Sequence, residues 1–315
     1  QYITMLLAIK YLLLLASVVL PATCQDPIRI VAVADLHGDY DNSLSVLQMA
    51  DIVNDKAQWI GGNNTIFVQT GDVVDRGADT IRLYDMMQRL RNEAHEAGSQ
   101  AIPLLGNHEV MNLVGDWRYV YPEDVETFGS FEARVKAFEV DGFIGRYLTQ
   151  LNMTAIVNRT VFCHGGIHPA FIDSRTGLDW INAYVHEHLP EYMESKGKYG
   201  DDQGVFGGHG PTWYRGYALG PEDEECPLLE TALEMLGADR MVMGHTVQRD
   251  GKVHSRCDGK AILIDVGISK AYGRHRAALE IIGDKVVAIN NGKRTEIKTT
   301  GKKWPSKLAT LREEL

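Results

Sequence analysis

The stretch VAVADLHGDYDN at residues 31–42 decides the fold, because it shows how the strands of this chain end. An apolar run over residues 28–34 is short and rich in β-branched side chains, which is typical of a buried strand. The run stops at Asp35, and His37 follows two residues later. A plain turn would be the ordinary ending, so the Asp-x-His ending indicates side chains with a further role.

The first hundred residues repeat this order of strand and helix. After the first strand, Asp41 or Asn42 is expected to cap a helix. Further strands are predicted over residues 65–69 and 101–105, separated by an amphipathic helix over residues 80–97. Alternating strands and helices are the pattern of an α/β sheet, so we expect an α/β fold for this part of the chain.

A second group of strands is predicted in the later part of the chain. These strands are predicted over residues 154–157, 160–163, 240–243, 261–266, 278–282 and 285–289. Residues 170–239 are richer in helix, aromatic residues and charge, and we interpret them as an insertion that carries Arg215. We therefore predict a single large domain over residues 26–292 and a basic, polar tail over residues 293–315.

The composition is that of an ordinary globular protein with an acidic balance. Hydrophobic residues make up 44% of the 315 residues, which is enough for a sizeable core. The formal net charge is −10, and the sequence pI is near 5.6. Because phosphate backbones attract basic patches, this charge argues against nucleic acid or an acidic membrane surface as the main partner.

The N-terminal segment predicts entry into the secretory pathway. Residues 6–20 are almost wholly apolar and small residues follow, so we expect a signal peptide over residues 1–25 with cleavage near Cys24 or Gln25. The apolar run is shorter than the roughly 20 residues of a spanning helix, although an uncleaved anchor is the alternative. After cleavage we expect no membrane contact.

Two further features agree with the lumen of the endoplasmic reticulum or with secretion. Asn63, Asn152 and Asn158 each begin an Asn-x-Thr sequon, which predicts a glycoprotein. Residues 312–315, Arg-Glu-Glu-Leu, resemble the Lys-Asp-Glu-Leu retrieval signal, although a charged helix end explains them equally well.

The cysteines fit the same compartment. Cys24 would leave with the signal peptide, and Cys163 lies in an apolar run that predicts a buried thiol. Cys226 and Cys257 remain, and we expect them to pair in an oxidising lumen.

Five predicted strands end in Asp, Asn or His beside glycine. The endings are DLHG at 35–38, GDVVDRG at 71–77, GNHE at 106–109, HGG at 164–166 and GHT at 244–246. In open α/β sheets, ligands bind outside the carboxyl ends of the strands, where glycine leaves room for them. In an extended segment residues i and i+2 point to the same side, so Asp35 and His37 are expected to reach one ion. Asp72 has two carboxylate oxygens and is a candidate to bridge two ions.

Carboxylate, amide and imidazole groups without thiolates predict a metal site. These donors suit Mn, Fe or Zn, and the lack of cysteine ligands argues against a closed structural zinc site. Two such ions about 3.5–4 Å apart activate a water and hold a phosphoryl oxygen. The sequence thus predicts two divalent metal ions as cofactors.

The ordered set of endings resembles the motifs of the calcineurin-like metallophosphoesterase superfamily. Within it, the complete GDVVDRG and GNHE motifs are similar to those of the phosphoprotein phosphatases, over roughly residues 28–270. The segment PTWYRG at 211–216, together with the secretory start, resembles the bacterial-type, Shewanella-like branch. The resemblance implies a β-sandwich flanked by helices, with residues 26–292 as the catalytic domain, and direct attack of a metal-bound water on phosphorus.

The resemblance also implies a role for each motif residue. Two metal ions would share Asp72, with these further ligands: Asp35 and His37 on the first ion, and Asn107, His164 and His245 on the second. His108 would protonate the leaving oxygen while Asp75 orients it, which agrees with histidine as a common general acid. Arg76 would hold phosphate oxygens by a bidentate contact, and Arg215 is the candidate for a second phosphate-binding arginine.

The chain departs from the common family pattern in three places. Ala34 stands where glycine usually precedes the first Asp, and it should leave the chemistry intact because it is not a ligand. A Ser-Ala-Pro-Asn-Tyr segment near the C-terminus is absent, which argues against natural-toxin binding. Asp75, rather than a tyrosine, lies three residues after Asp72, which argues against a purple acid phosphatase.

The predicted activity is hydrolysis of phosphomonoesters on proteins, on phosphotyrosine, on phosphoserine and phosphothreonine, or on all three. The expected partner is therefore a phosphoprotein or phosphopeptide. The alternative is a nucleotide or dinucleotide phosphohydrolase or a phosphodiesterase of the same superfamily. A non-enzymatic binding module is disfavoured, because every metal position and His108 are present. His168 and His209 are further candidates for lining the pocket or touching substrate.

Overall fold

Alternate residues of the first strand point into two different cores, and this alternation sets the two-layer architecture. The strand β1, Arg29–Val33, sends Ile30 and Ala32 into a core between two sheets, while Val31 and Val33 join a core that includes helix residues. Both faces of the strand are buried, as its continuous apolar sequence requires.

The computed structural model describes residues 27–198 and 204–307, which contain two mixed sheets. After β1, the strands in chain order are β2 Thr65–Gln69, β3 Gln100–Pro103, β4 Thr154–Val157, β5 Thr160–Cys163, β6 Arg240–Met243, β7 His254–Arg256, β8 Ala261–Leu263, β9 Ala277–Ile282, β10 Lys285–Asn290 and β11 Lys293–Glu296. The predicted β4–β5 hairpin and the predicted strand β6 have the bounds expected from the sequence.

The two sheets each combine parallel and antiparallel pairs. The first sheet has the order β11-β10-β9-β1-β2-β3, in which β1, β2 and β3 run parallel and the other pairs are antiparallel. The second has the order β4-β5-β6-β8-β7, in which β5, β6 and β8 run parallel. The carboxyl ends of the parallel strands are the places where the five motif endings begin.

Helices cover the outer faces of this sandwich. In chain order the α-helices are α1 Tyr40–Met49, α2 Thr80–Glu96, α3 Asn107–Leu113, α4 Pro122–Thr127, α5 Phe131–Phe138, α6 Gly145–Leu148, α7 Asp179–Glu194, α8 Gly216–Leu219 and α9 Glu222–Leu236. The last three lie in the connection between β5 and β6, where the insertion was predicted. None of the helices in the described part of the chain has the length and apolarity that crossing a bilayer requires.

Two boundaries near the motifs differ from those predicted. The cap of α1 is Asp39, whose side chain accepts a hydrogen bond from the N–H of Asn42, so the predicted cap at Asp41 or Asn42 is wrong. Asp39 is the better cap because it precedes the helix by one residue and reaches the third helical N–H. The strand predicted over residues 261–266 ends at Leu263, and the following segment turns into the site described below.

Two edge strands, β7 and β11, are not predicted by the sequence pattern. They pair with β8 and β10, but their polar, largely exposed side chains carry no apolar alternation that would mark them. The predicted tail over residues 293–315 therefore begins with a strand of the first sheet. The predicted signal peptide and the predicted retrieval signal lie outside the described residues.

A disulfide bond joins α9 to the segment after β7. Cys226 and Cys257 are paired as expected, with their Cα atoms 5.3 Å apart, and both are buried. Cys163 is a buried free thiol at the end of β5. The pair ties the insertion to the second sheet.

Candidate active site

Hydrogen bonds to the backbone bring the strand endings of the two sheets together. The carbonyl of Asp72, after β2, accepts a hydrogen bond from the N–H of His37, after β1, at 3.0 Å. The Asp35 carboxylate accepts one from the N–H of His245, after β6, at 3.1 Å. The second bond connects the two sheets, so the endings of β1, β2 and β6 face one shared space.

Asp72 stands at the centre of this space. Its Oδ2 atom lies 3.1 Å from Nε2 of His164, 3.7 Å from Nε2 of His37 and 3.8 Å from Nε2 of His108. All four side chains are buried. A carboxylate oxygen that faces several imidazole nitrogens has the geometry of a ligand shared between ions.

Two of the histidines are oriented by hydrogen bonds to carbonyl groups. His37 Nδ1 lies 3.0 Å from the carbonyl oxygen of Val74, and His164 Nδ1 lies 2.9 Å from that of Thr70. A carbonyl oxygen only accepts hydrogen bonds, so each ring carries a proton on Nδ1, and its Nε2 faces Asp72. This is the usual way in which proteins prepare a histidine to bind a metal ion.

The other donors of the cluster fit the same interpretation. Asn107 Oδ1 lies 2.9 Å from His164 Nε2, which brings an amide oxygen to the histidine nitrogen. His245 Nε2 is buried and has no hydrogen-bond partner among the residues that the structure describes. Its ring lies 4.8 Å from that of His164, on the side of Asp72. An orphaned buried imidazole nitrogen beside a carboxylate and an amide oxygen is the donor set that a divalent ion requires.

Negative charge is concentrated at this cluster. Burial, and then the charges of Asp265 and Asp72, raise the pKa of Asp35 well above its usual value. Burial also raises the pKa of Asp265 to about 6. For Asp72 burial alone would raise the pKa, but His164 and His108 outweigh it and hold the pKa well below its usual value. Buried carboxylates that share one space repel one another, and a divalent cation balances them.

The structure thus brings together every side chain that the sequence proposes as a metal ligand. These are Asp35, His37, Asp72, Asn107, His164 and His245. Asp72 belongs to two groups whose potential ligand atoms lie within 4.8 Å of one another, one with His37 and His108 and the other with His164 and His245.

His108 lies between two carboxylates. Its Nδ1 is 2.6 Å from Oδ2 of Asp75, and its Nε2 is 3.8 Å from Oδ2 of Asp72. Burial lowers the pKa of His108, but Asp72 and Asp75 outweigh burial and raise the pKa above its ordinary value. A histidine with a carboxylate on one nitrogen and the other nitrogen directed at the cluster is equipped to transfer a proton.

Arg76 lies between two tyrosine rings that sequence reasoning missed. Its guanidinium carbon is 4.2 Å from the ring centre of Tyr119 and 5.2 Å from that of Tyr272. Its Nε is buried, and no described residue forms a hydrogen bond with it. The same rings contact His108 and His37, with centroids 4.9 and 5.4 Å apart. The guanidinium is thus held in place while a donor remains free for an anion.

Arg215 reaches the cluster from the other side. Its Nη1 donates to the carbonyl of His245 at 2.7 Å and to Oγ1 of Thr246 at 3.0 Å. The guanidinium is therefore fixed beside a proposed metal ligand. Trp213 also packs its ring 5.6 Å from His245.

The backbone of the site is strained. Five of its residues have left-handed backbones, with φ angles of 45° at His37, 57° at Asp72, 70° at Asp75, 60° at Arg76 and 64° at His245. The extended segment predicted for Asp35 and His37 is therefore wrong. A turn, rather than strand alternation, brings His37 Nε2 to 3.7 Å from Asp35 Oδ2. Such conformations cluster at functional sites, where surrounding contacts hold them.

One close contact explains a glycine in each of two motifs. A Cβ atom on Gly38 would lie 2.6 Å from the carbonyl carbon of Gly77, and one on Gly77 would lie 2.3 Å from the carbonyl oxygen of Gly38. The loops after β1 and β2 approach closely only because both residues lack a side chain.

Two further acidic residues belong to the site although no role was assigned to them. Glu109 is buried, and its carboxylate accepts hydrogen bonds from the loop after β2 and from the hydroxyl of Tyr84 at 3.0 Å. Its place in GNHE was the available signal. Asp265 follows β8, is buried, and lies close enough to Asp35 for its charge to raise the pKa of that carboxyl. The sequence pattern that could have identified Asp265 is a sixth apolar run that ends in Asp with a glycine two residues later, Asp265-Val266-Gly267.

The two additional histidine candidates lie apart from the donors. His168 caps a short 3₁₀ turn by accepting a hydrogen bond from the N–H of Ala170 at 3.2 Å. Its ring packs 5.6 Å from that of Tyr214, whose hydroxyl donates to Glu225. His209 is exposed. Among the described residues, no contact supports the interpretation of His168 or His209 as a residue of the substrate pocket.

Comparison with known proteins agrees with this geometry. Residues 28–249 match the family of calcineurin-like phosphoesterases. Shewanella-like protein phosphatase 2 of Arabidopsis thaliana is 32% identical, over 80% of this chain and 74% of the relative. Shewanella-like protein phosphatase 1 of Plasmodium berghei is 30% identical, over 83% of this chain and 74% of the relative.

Solved structures show the same architecture. A cold-active protein tyrosine phosphatase of a psychrophilic Shewanella species has a TM-score of 0.76 at 29% identity, covering 86% of this chain and 81% of that chain. The metallophosphoesterase-type sandwich implied by the motifs is confirmed. The family implies a dinuclear divalent metal centre, for which the cluster around Asp72 provides candidate ligands. The chain belongs to the calcineurin-like phosphoesterase family, and within it to the branch of the Shewanella-like protein phosphatases.

Proposed function

We propose that this protein is a metal-dependent protein phosphatase that removes phosphate from phosphotyrosine side chains. The observation that carries the proposal is the convergence on one carboxylate oxygen, since three imidazole Nε2 atoms lie 3.1 to 3.8 Å from Asp72 Oδ2. Hydrolysis of a phosphate monoester requires metal charge, a proton donor and an anion-binding side chain in one space. Here the metal ligands, His108 and Arg76 are neighbours, and the named relatives are protein phosphatases.

Two divalent ions are the proposed cofactors, drawn from Mn, Fe and Zn. Asp72 would be shared, and the remaining ligands are Asp35 and His37 for one ion and Asn107, His164 and His245 for the other. Nitrogen and oxygen donors without thiolate suit these three metals. When bound, the ions would activate a water and stabilise the charge that develops on the phosphoryl oxygens.

The protein side chains would carry the remaining steps. His108 Nε2 gives a proton to the leaving oxygen, while Asp75 holds the Nδ1–H on the opposite side of the ring. Arg76 binds phosphate oxygens through its free Nε and the adjacent nitrogen, a bidentate contact that fits the planar guanidinium. Arg215 binds a further phosphate oxygen beside His245.

The aromatic walls beside Arg76 support a preference for an aryl ester. A groove of about 700 Å³ beside Arg76 is lined by Tyr121 but by neither Tyr119 nor Tyr272, so it offers space for the residues that flank the phosphorylated side chain. A phenyl ring in the mouth of the site would pack against Tyr119 or Tyr272, whereas a serine or threonine ester offers no ring. The similar solved structure is a protein tyrosine phosphatase, which supports the same substrate.

Nucleotide or dinucleotide hydrolysis is the less well supported alternative. The formal net charge of −10 does not favour a polyanionic ligand. The relatives named above are protein phosphatases. At Arg76, one of the two proposed anion-binding residues, the ring of Tyr119 lines the site.

We also propose that the protein acts in the secretory pathway, in the lumen of the endoplasmic reticulum or after secretion. The Cys226–Cys257 bond supports an oxidising compartment. The sequon residues Asn63 and Asn158 are exposed and so are accessible to glycosylation. Intact mass of protein from a secretory host tests this proposal, because signal cleavage lowers the mass and each glycan raises it. An unmodified mass with residues 1–25 retained would contradict the proposal.

The function is tested by phosphate release from one peptide sequence prepared with phosphotyrosine, phosphoserine or phosphothreonine. ATP and a dinucleoside polyphosphate serve as nucleotide substrates. Protein stripped by a chelator is compared with protein reloaded with Mn²⁺, Fe²⁺ or Zn²⁺ singly. We expect activity only after reloading, and the highest kcat/KM on the phosphotyrosine peptide.

A pair of matched variants separates the metal centre from a general effect of charge. Asp72→Asn removes the shared ligand, and Asp239→Asn changes a surface carboxylate paired with Arg159. We expect Asp72→Asn to lose at least about 10²-fold in kcat, and Asp239→Asn to match wild type. Activity that survives chelation or Asp72→Asn would overturn the metal-dependent mechanism, and faster turnover of a nucleotide would overturn the substrate.

A further inference from the structure

Arg134 in α5 is the largest of the fully buried side chains in the described part of the chain. It belongs to none of the sequence motifs. A buried guanidinium destabilises a protein unless charges and hydrogen bonds compensate for the water that it loses. The partners that compensate Arg134 therefore indicate what it does.

The guanidinium of Arg134 lies close to three side chains from three parts of the chain. Its Nε donates to Oδ2 of Asp124 in α4 at 2.8 Å. Its Nη1 donates to Oδ1 of Asn112 in α3 at 2.8 Å. Its Nη2 lies 3.7 Å from Oδ1 of Asp75 in the loop after β2. One rigid fork thus connects the helix that carries His108 with the carboxylate that pairs with it.

Asn112 transmits this constraint to the pair formed by His108 and Asp75. Its Nδ2 donates to Oδ2 of Asp75 at 3.0 Å and to the carbonyl of His108 at 2.9 Å. A flipped amide would place its NH₂ group against the Arg134 guanidinium. Because Arg134 donates to Oδ1 of Asn112, the NH₂ end of the Asn112 amide faces Asp75.

Arg134 and Asp75 also present one unpaired polar atom to each other. Nη2 of Arg134 and Oδ1 of Asp75 are both buried, form no hydrogen bond within the described part of the chain, and lie 3.7 Å apart. Opposite charges attract strongly at this distance inside a protein. The attraction on Oδ1 orients the carboxylate, so its Oδ2 stays 2.6 Å from Nδ1 of His108.

Aromatic rings enclose the guanidinium and restrict its movement. The centres of Trp117, Phe128 and Phe138 lie 5.3, 5.6 and 4.8 Å from the guanidinium carbon. The rings attract the cation and keep water away from it. Arg134 is therefore held in one orientation from which its three partners are reached.

From these contacts we infer that Arg134 is a positioning residue for His108, an inference that rests on the proposed phosphatase function. Acting through Asn112 and Asp75, it holds the imidazole so that Nε2 meets the leaving oxygen. A merely structural role would only join α3, α4 and α5. The two roles differ in one measurable consequence, because a misplaced acid slows the release of poor leaving groups more than that of good ones.

The test compares p-nitrophenyl phosphate, which has a good leaving group, with phenyl phosphate, which has a poor one. The variant is Arg134→Met with Asp124→Asn, which removes the cation together with the carboxylate that bonds to its Nε, while Asp75 keeps its contacts with His108 and Asn112. The amide oxygen introduced by Asp124→Asn can still accept the hydrogen bond that the Asp124 carboxylate accepts from the Thr80 N–H. Arg240→Met, which removes an arginine bonded to Thr160, is the matched control.

We expect the ratio of kcat/KM for p-nitrophenyl phosphate to that for phenyl phosphate to rise about tenfold in the double variant. The metal content per chain should stay that of wild type, and the control should leave the ratio unchanged. An equal loss on both substrates, no loss, or a fall in metal content would overturn the inference. A wild-type protein inactive on both esters would instead contradict the proposed function.

Arg134→Lys decides the question if the double variant does not fold. Lysine keeps the charge beside Asp124 but has no fork that spans Asn112 and Asp75 as well. We expect a folded protein in which the leaving-group ratio rises about threefold, since part of the positioning is lost. A ratio equal to that of wild type would overturn the inference.

Discussion

The carboxylate of Glu109 accepts a hydrogen bond from the backbone N–H of Asp72 at 2.7 Å, so a residue of one motif fixes the backbone of another. The same carboxylate accepts bonds from the N–H groups of Val73 at 2.9 Å and Gly106 at 2.8 Å. The left-handed backbone of Asp72 is unfavourable by about 1 kcal/mol or more. These bonds offset the strain and keep the proposed bridging carboxylate aimed at the histidines.

Glu109→Gln is expected to lower both stability and metal content. The amide NH₂ would face backbone N–H groups that need an acceptor, which should reduce the free energy of unfolding by about 2 kcal/mol. Denaturant titration and metal analysis of the purified protein measure the two effects. Glu93→Gln is the control, because Glu93 also accepts a backbone bond, from Trp59 at 2.7 Å, but outside the site. Wild-type stability and metal content in Glu109→Gln would refute this account.

The metal cluster was predictable because its ligands share a local signature. Asp35, Asp72 and His245 each follow a buried apolar run and have a glycine within three residues, so pattern and chemistry coincide in the sequence. The carboxyl ends of parallel strands then lie on one side of each sheet. The sheet topology brings together residues that are distant in the sequence, which is why the five strand endings predict the centre of the site.

The supporting residues lacked such a signature. Asn112 and Arg134 lie on helices, and Asn112 is 37 residues from its partner Asp75 in the chain. Periodicity reports which positions are buried, but it does not report which buried polar groups pair with one another. Tyr119 and Tyr272 were missed for the same reason, since they meet Arg76 from loops distant in sequence.

Asp265→Asn is expected to stabilise the metal-stripped protein and to weaken its response to metal. Burial raises the pKa of Asp265 to about 6, so the folded chain binds its proton more tightly than the unfolded chain. Above pH 6 the folded chain holds a buried charge that opposes folding, and the penalty disappears only near pH 4, where the group is also neutral in the unfolded chain. The substitution should therefore add roughly 1–3 kcal/mol to the free energy of unfolding at pH 8 and less than about 1 kcal/mol at pH 4, since one pKa unit is about 1.4 kcal/mol.

Denaturant titrations of stripped protein at the two pH values check this prediction, and added Mn²⁺ then gives the metal-dependent gain. We expect that gain to be smaller in Asp265→Asn, because a negative charge near the ions is lost. Equal stabilisation at both pH values would show that the effect does not come from the charge of Asp265. Asp239→Asn again serves as a control for surface charge.

Reduction of the Cys226–Cys257 bond is expected to lower stability without changing the metal centre. The bond closes a loop between residues 31 positions apart, and a loop of that length corresponds to roughly 3–4 kcal/mol in the chain-entropy model. The free energy of unfolding measured with and without a thiol reductant tests the value. The Cys226→Ser, Cys257→Ser double variant should match the reduced protein, whereas Cys163→Ala should keep its sensitivity to the reductant. An unchanged unfolding midpoint on reduction would mean that the bond contributes nothing to stability.

Removal of either ring beside Arg76 is expected to weaken substrate binding more than turnover. Each cation–π contact is worth about 0.5–1 kcal/mol, so Tyr119→Leu and Tyr272→Leu should each raise KM for a phosphotyrosine peptide roughly two- to fivefold. The double variant should also lose the preference for phosphotyrosine over phosphoserine, which a pair of otherwise identical peptides measures. Trp304→Leu removes a ring that lies 3.5 Å from the Lys302 ammonium, and it should leave both quantities unchanged. If the preference for phosphotyrosine persists without both rings, the aromatic walls do not select the substrate.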